Sequence, residues 1–224
     1  MNMIEVANVK KDYPLGATTV RALRGVDMAV EEGAFLTIIG PSGSGKTTLL
    51  NIVGCIDTPT AGSVKIGGQE ITSLSDKQIT DLRLRKIGFI FQTFNLIPVL
   101  NVRENVEFPL LLMKEHSKEL IRNKVEALIE DVGLTQFIDH KPAELSGGQR
   151  QRVAIARALV TAPQIVMADE PTANLDSETS ESILQLMREL NEKQKTTFIF
   201  STHDPDVRKY AKSTVKIKDG LIVA

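Results

Sequence analysis

The residues with the clearest chemistry are consecutive: Gly40-Pro41-Ser42-Gly43-Ser44-Gly45-Lys46-Thr47-Thr48. An apolar run, Phe35 to Ile39, precedes them and reads as a buried strand. A helical pattern follows, with Leu49, Leu50, Ile52, Val53 and Ile56 expected on its buried side. Strand, glycine-rich loop, Lys-Thr and helix together form the context of a phosphate-binding loop. The glycines let backbone N–H groups turn inward around phosphate oxygens, and the helix adds the positive end of its dipole. Lys46 then reaches the outer phosphates, and the Thr47 hydroxyl ligates Mg²⁺.

Other residues have the types that would complete such a site. Ile165 to Ala168 is an apolar strand ending in Asp169 and Glu170. Carboxylates at the C-terminal end of a strand stand where parallel sheets bind ligands. Asp169 is expected to hold Mg²⁺, directly or through water, and Glu170 to polarise an attacking water. The apolar run Thr196 to Ser201 is closed by Thr202-His203-Asp204 at the same sheet edge. His203 is read either as structural or as a hydrogen-bond partner of a terminal phosphate. Tyr13, in the turn-rich segment Asp12 to Gly16, is read either as a surface aromatic or as a face for an adenine ring. Leu145-Ser146-Gly147-Gly148-Gln149 opens a strong helix, with Val153, Ile155, Ala156, Leu159 and Val160 apolar. Ser146 is a good N-cap, and the glycines admit a close backbone or a second anion.

The elements that position these residues follow from periodicity. Ile4, Val6 and Val9, then Val26, Met28 and Val30, read as half-buried antiparallel strands. Ser63 to Ile66 is a strand ended by Gly67-Gly68, and Ser75 caps a charged helix to about Arg85. Ile87 to Phe91 is a buried strand ending at Gln92. From Thr93 to about Glu144 the pattern is mainly helical, with Val102 to Met113 broken by Pro109. Ser117 to Val132 carries Leu120, Val125, Leu128, Ile129 and Val132 at helical spacing. Another helix opens at Asn174 to Ser177, and the tail is a hairpin around Asp219-Gly220. The fold class is therefore α/β, with an inserted helical subdomain. The run Phe94 to Leu100 is read either as core or as a docking surface.

At 224 residues the chain is expected to be one domain, with 42% hydrophobic residues for its core. A net charge of -1 leaves no electrostatic footprint for nucleic acid. Cys55, the single cysteine, reads as a buried thiol in the apolar helix and fits a reducing compartment. His116 and His140 lie in polar surroundings and form no metal-ligand cluster. No apolar run reaches the ~20 residues of a membrane-spanning helix, and no signal peptide is expected. Any membrane role is then expected to run through a partner.

Taken in order, these residues resemble the nucleotide-binding subunits of ABC transporters. The match covers Tyr13, the phosphate loop Gly40 to Thr48, Gln92, the signature Leu145 to Gln149, Asp169, Glu170, the loop Ala173 to Asp176, and His203. The resemblance implies a phosphate-loop NTPase, a parallel-sheet core with an N-terminal antiparallel β-subdomain. Residues 1–92 and 160–224 would form the core, and 93–159 the helical subdomain. ATP would be held by Tyr13, the loop and Gln92, and Mg²⁺ by Thr47, Gln92 and Asp169. Lys46, Glu170 and His203 would act in hydrolysis. Two copies would pack head to tail, Ser146 to Gln149 of one capping the ATP held by the other. Arg150 and Arg152 are further candidates for balancing charge.

Within the family, Gly54 to Gly62, Phe91 to Pro98 and Asn105 to Leu110 resemble the ATPases of macrolide-export and lipoprotein-release systems. The implied partner is an integral-membrane permease, with the chain cytoplasmic, on the inner face of the membrane. Cell-division ATPases that regulate wall hydrolases share much of the pattern. A soluble, non-transport ABC ATPase is a further reading, as is a module that closes on ATP without useful hydrolysis. The first lacks its usual inserts here, and intact Glu170 and His203 oppose the second.

Overall fold

The computed structural model describes residues 1–115, 117–203 and 205–223; the readings at His116 and Asp204 lie outside them. The chain runs β1 (Asn2–Leu15), β2 (Thr18–Glu31), β3 (Phe35–Ile39), α1 (Lys46–Val53), β4 (Ala61–Ile66) and β5 (Gln69–Glu70). It continues through α2 (Asp76–Lys86), β6 (Ile87–Ile90), α3 (Val102–Met113), α4 (Lys118–Asp131) and α5 (Gly147–Leu159). The last elements are β7 (Ile165–Asp169), α6 (Ser177–Gln194), β8 (Thr197–Thr202), β9 (Ser213–Lys218) and β10 (Leu221–Val223).

Two sheets result. The first has the order β2-β1-β4-β5 and is antiparallel; the second has the order β10-β9-β3-β8-β7-β6 and is parallel except for β10. Period-2 side-chain alternation divides the interior. Leu36, Ile38, Ile165, Met167 and Ile199 face α1 and the antiparallel sheet. Phe35, Val166, Ala168, Phe198 and Phe200 face α3, α4, α5 and α6. The Phe35 ring lies 5.7 Å from Phe198 and 5.1 Å from Phe200, in tilted contacts. This is the α/β architecture expected, an antiparallel N-terminal sheet beside a parallel core with added helices.

Several local expectations give way to tertiary structure. β1 does not turn at Asp12 but pairs with β2 as far as Leu15↔Thr18. β4 leaves β1 at Lys10↔Ala61, so Pro14 lies where β1 has a single neighbour and its missing N–H is tolerated. Val102 to Met113 is one helix through Pro109, because Val102, Asn105, Val106 and Leu110 are buried at continuous helical spacing. Ile56 is 44% exposed, since α1 ends at Gly54 and the chain turns through Cys55 at φ 59. Cys55 thus follows the helix rather than lying in it; burial pushes its thiol up to about 11, Arg83 opposing weakly. In α4 the buried residues are Ile121, Val125 and Ile129, and Leu120 is exposed. The run Phe94 to Leu100 is split, Leu96 packing on the helical cluster while Val99 is 73% exposed.

The register fixes where chemistry can happen. Ile39 pairs with Thr202, Asp169 with Ser201, and Ala168 with Ile90. The C-terminal ends of β3, β8, β7 and β6 therefore share one edge, which carries the phosphate loop, His203, Asp169 and the loop to Gln92.

Candidate nucleotide site

At that edge lies an open cleft of ≈ 600 Å³. Tyr13, Ser42, Gly43, Gly45, Lys46, Thr47, Thr48, Gln92, Glu170 and His203 all line it. Sequence reading placed these residues in one site across 191 positions, and the fold brings them together. Gly40, Pro41 and Ser44 shape the loop instead. The Gly40 and Pro41 carbonyls accept from Lys46 Nζ at 2.9 and 3.2 Å, and Ser44 N donates to Pro41 O. Gly45 takes φ 106 as the residue before α1, a conformation that glycine alone adopts cheaply. A Cβ on Gly40 would come within 2.2 Å of Ile217 O, so the loop is wedged against β9.

The loop ends where α1 begins, so free N–H groups of the first turn point to the cleft. Lys46 is only 7% exposed, and its Nζ stands 3.9 Å from Glu170 Oε1. Thr47 Oγ1 donates to the Asp169 carboxylate at 3.1 Å, and Ser201 Oγ donates to the same carboxylate at 2.5 Å. Glu170 adopts φ 47, a left-handed conformation that is strained for a side-chain-bearing residue. Its N–H donates to Ser201 O and Oγ, both at 3.2 Å, which holds the turn. Its carboxylate is 2.9 Å from His203 Nδ1, and the His203 N–H donates to it at 3.4 Å. The Glu170 side chain therefore points along the cleft, braced from two sides.

Tyr13 is fixed rather than loose on the surface. Its hydroxyl donates to Asp57 at 2.6 Å, and Lys11 Nζ lies 4.9 Å from the ring centroid. Burial, then the Asp57 hydrogen bond, pushes the phenol up from its ordinary value, so it remains a neutral donor. Gln92 is exposed at the cleft rim, its carbonyl accepting from Asn174 Nδ2 at 2.8 Å.

Ser146 to Gln149 are not in the cleft. Ser146 accepts from Gln149 N at 3.2 Å, and Gln149 accepts from Ser146 N at 2.8 Å, a complete capping box on α5. Gly147 and Gly148 lie against Leu175 and Thr179, at the start of α6. Arg152 is committed elsewhere, to Val132 O and Ser182 Oγ, and Arg150 lies over the Phe94 ring.

Sequence reading missed Val20, Arg21, Ala22, Arg24, Asp219 and Gly220, which also line the cleft. Neither Arg21 nor Arg24 has an ion-pair partner among the described residues. Nothing in a strand pattern marks them, because β2 reaches the loop only through tertiary packing. Among the described residues no cluster of three or more His, Cys, Asp or Glu forms a metal cage. None of their helices is long and apolar enough to cross a membrane.

The family model of the ABC transporter matches residues 23–173. The chain is 47% identical to the macrolide export ATP-binding/permease protein MacB of Syntrophobacter fumaroxidans, over 99% of this chain and 31% of that one. It is thus about a third of the length of MacB. It is 46% identical to the ATP-binding protein MJ0796 of Methanocaldococcus jannaschii, over 98% of this chain and 95% of that one. A dimeric post-hydrolysis structure of MJ0796, bound to ADP and Pi, superposes with a TM-score of 0.91 at 45% identity, covering 99% and 97% of the two chains. A family model that spans residues 23–173, and relatives at 45–47% identity over almost the whole chain on the same fold, leave one assignment: the chain belongs to the ABC transporter family and is an ATP-binding cassette that hydrolyses ATP.

Proposed function

We propose that this chain is the motor subunit of a membrane transporter, closing head to tail with a second copy around two ATP molecules. One observation carries the reading. Lys46, Thr47, Glu170 and His203 line one cleft, with Asp169 behind Thr47 at 3.1 Å, and Ser146 to Gln149 stand outside it. Each chain therefore holds half of a γ-phosphate environment, and a symmetric pair of copies supplies the other half twice. The dimer of MJ0796 supports this arrangement.

In the closed pair the roles divide by chemistry. Tyr13 offers its ring to the adenine, and the loop N–H groups with Lys46 hold the phosphates. Thr47 and Asp169, with the Gln92 amide at the rim, are the hard oxygen donors that Mg²⁺ takes, and Mg²⁺ takes few from a protein. When bound, Mg²⁺ neutralises charge on the phosphate oxygens. Glu170 accepts a proton from water in line with the γ-phosphate, and His203 holds that carboxylate in place. Ser146 Oγ and the Gly148 N–H of the second copy donate to the same phosphate. Hydrolysis removes the shared anion, and the pair opens.

The reading divides the chain into a core of residues 1–92 and 160–224 and a helical part of 93–159. An apolar groove of ≈ 660 Å³ beside the Gln92 loop, lined by Ile56, Phe89, Phe91, Pro109 and Leu112, supports docking of a permease segment. That partner would place the chain on the inner face of the membrane. The kinship with MacB favours export or lipoprotein release over import.

Concentration dependence tests the pairing. Phosphate release per chain is expected to rise with protein concentration from nanomolar to micromolar, because two chains make one active unit. A flat specific activity over that range refutes the shared site. The arginines give a second test. Arg24→Ala is expected to raise the KM for MgATP about threefold to tenfold at low salt, since an exposed cation contributes about 1 kcal/mol. The effect shrinks as ionic strength rises. An unchanged KM removes Arg24 from the nucleotide site.

A further inference from the structure

Arg157, on α5, has an environment unusual for a guanidinium. It is half-buried, burial lowers its pKa from the ordinary arginine value, and no carboxylate pairs with it among the described residues. Its N–H groups go to two consecutive backbone carbonyls instead. Nη1 donates to Asn95 O, and Nη2 donates to Phe94 O at 2.7 Å. Both acceptor residues are left-handed, Phe94 at φ 61 and Asn95 at φ 47. Two such residues in succession are strained and persist only where the surroundings hold them.

The surroundings are specific. Arg150, also on α5, lies 5.3 Å over the Phe94 ring. Two residues before Phe94, the Gln92 carbonyl is held by Asn174, from the loop before α6. The stretch from Gln92 to Asn95 is thus pinned on one side by Asn174 and on the other by α5. Ser146 caps the N-terminus of that same helix. Arg157 and Asn95 also share the apolar groove with Phe91. A planar fork that bridges two carbonyls is a rigid tie, and a lysine has a single point of donation in its place.

We propose that Arg157 is a positioning residue that ties the Gln92 loop to the signature helix, so that Gln92 and the Ser146 turn move as one body. This rests on the reading of Gln92 as a cleft residue that acts in turnover. A change at the cleft rim then shifts the turn offered to the second copy, and a segment seated in the groove acts on both at once.

A double-mutant cycle on steady-state ATPase of the full chain tests the tie. Arg157→Gln and Gln92→Ala are each expected to lower kcat about tenfold. The double variant is expected to stay within about twofold of Gln92→Ala alone, because a tie has nothing left to position once Gln92 is gone. Arg157→Lys recovers part of the loss. A general loss of packing multiplies with Gln92→Ala instead, and multiplication overturns the tie, as does an Arg157→Gln variant with parental kcat. If Gln92→Ala alone turns over like the parent, the Gln92 reading fails first and the tie falls with it. The same cycle run with Arg157→Lys reads the coupling if Arg157→Gln melts below the assay temperature.

Discussion

Glu170→Gln is expected to bind MgATP, pair with a second copy and all but cease hydrolysis. The substitution keeps the shape of a side chain that is braced on both flanks. Ser201 accepts from its backbone N–H, and His203 Nδ1 stands 2.9 Å from its carboxylate. The amide cannot take a proton, and general-base catalysis contributes roughly 10²–10⁴ in rate. The kcat for phosphate release is therefore expected to fall by at least about a hundredfold. Removing a negative charge 3.9 Å from Lys46 also relieves repulsion against the triphosphate, so nucleotide affinity holds or improves. With hydrolysis blocked, the ATP-bound pair accumulates. Size exclusion in saturating MgATP is expected to show a dimer for Glu170→Gln, and a monomer when MgATP is withheld. Turnover within a few-fold of the parent removes Glu170 from the role of base. A slow variant that stays monomeric spares the base but removes the shared site.

Much of this site was legible because its chemistry is local. The phosphate loop is a contiguous word between a strand and a helix, and Asp169 with Glu170 follows a plain apolar strand. His203 ends another such strand, and parallel pairing, Asp169↔Ser201 and Ile39↔Thr202, brings these strand ends into one row. Local pattern failed where distant packing decided. Arg21 and Arg24 lie on an antiparallel strand whose approach to the loop is set by the contact between the two sheets, through Arg24 N to Gly220 O. Pro109 reads as a break, yet the helix continues because burial of Val106 and Leu110 outweighs the lost hydrogen bond. The tie from Arg157 to Phe94 and Asn95 spans more than sixty positions and carries no motif. The signature is the instructive middle case. Its Ser-x-x-Gln capping box is visible as a helix start, but residue spacing alone cannot show that it stands outside the cleft it serves.

Lys46→Ala is expected to abolish measurable ATP binding while leaving the fold intact. Lys46 begins α1, where alanine is at least as good a helix former, and its apolar neighbours Leu49, Leu50, Ile52 and Val53 stay buried. Its Nζ now satisfies the Gly40 and Pro41 carbonyls, so the cation stands inside the curve of the loop, where phosphate oxygens would lie. Hydrogen bonds to charged groups contribute about 1.5–3 kcal/mol each, so losing two of them raises the Kd for MgATP about a hundredfold or more. The Glu170 carboxylate loses its nearest cation as well, which leaves a negative charge facing the triphosphate. The defect is expected to persist at high salt, because a residue that is 7% exposed is poorly screened, in contrast to the salt-sensitive loss at Arg24. Equilibrium titration with a fluorescent ATP analogue, beside a thermal melt without nucleotide, separates binding from folding. An affinity within threefold of the parent, on a chain that melts normally, shows that the triphosphate is held elsewhere. Glu170→Gln and Lys46→Ala then fail in opposite ways if the cleft is the site: the first retains nucleotide and cannot release it, and the second never acquires it.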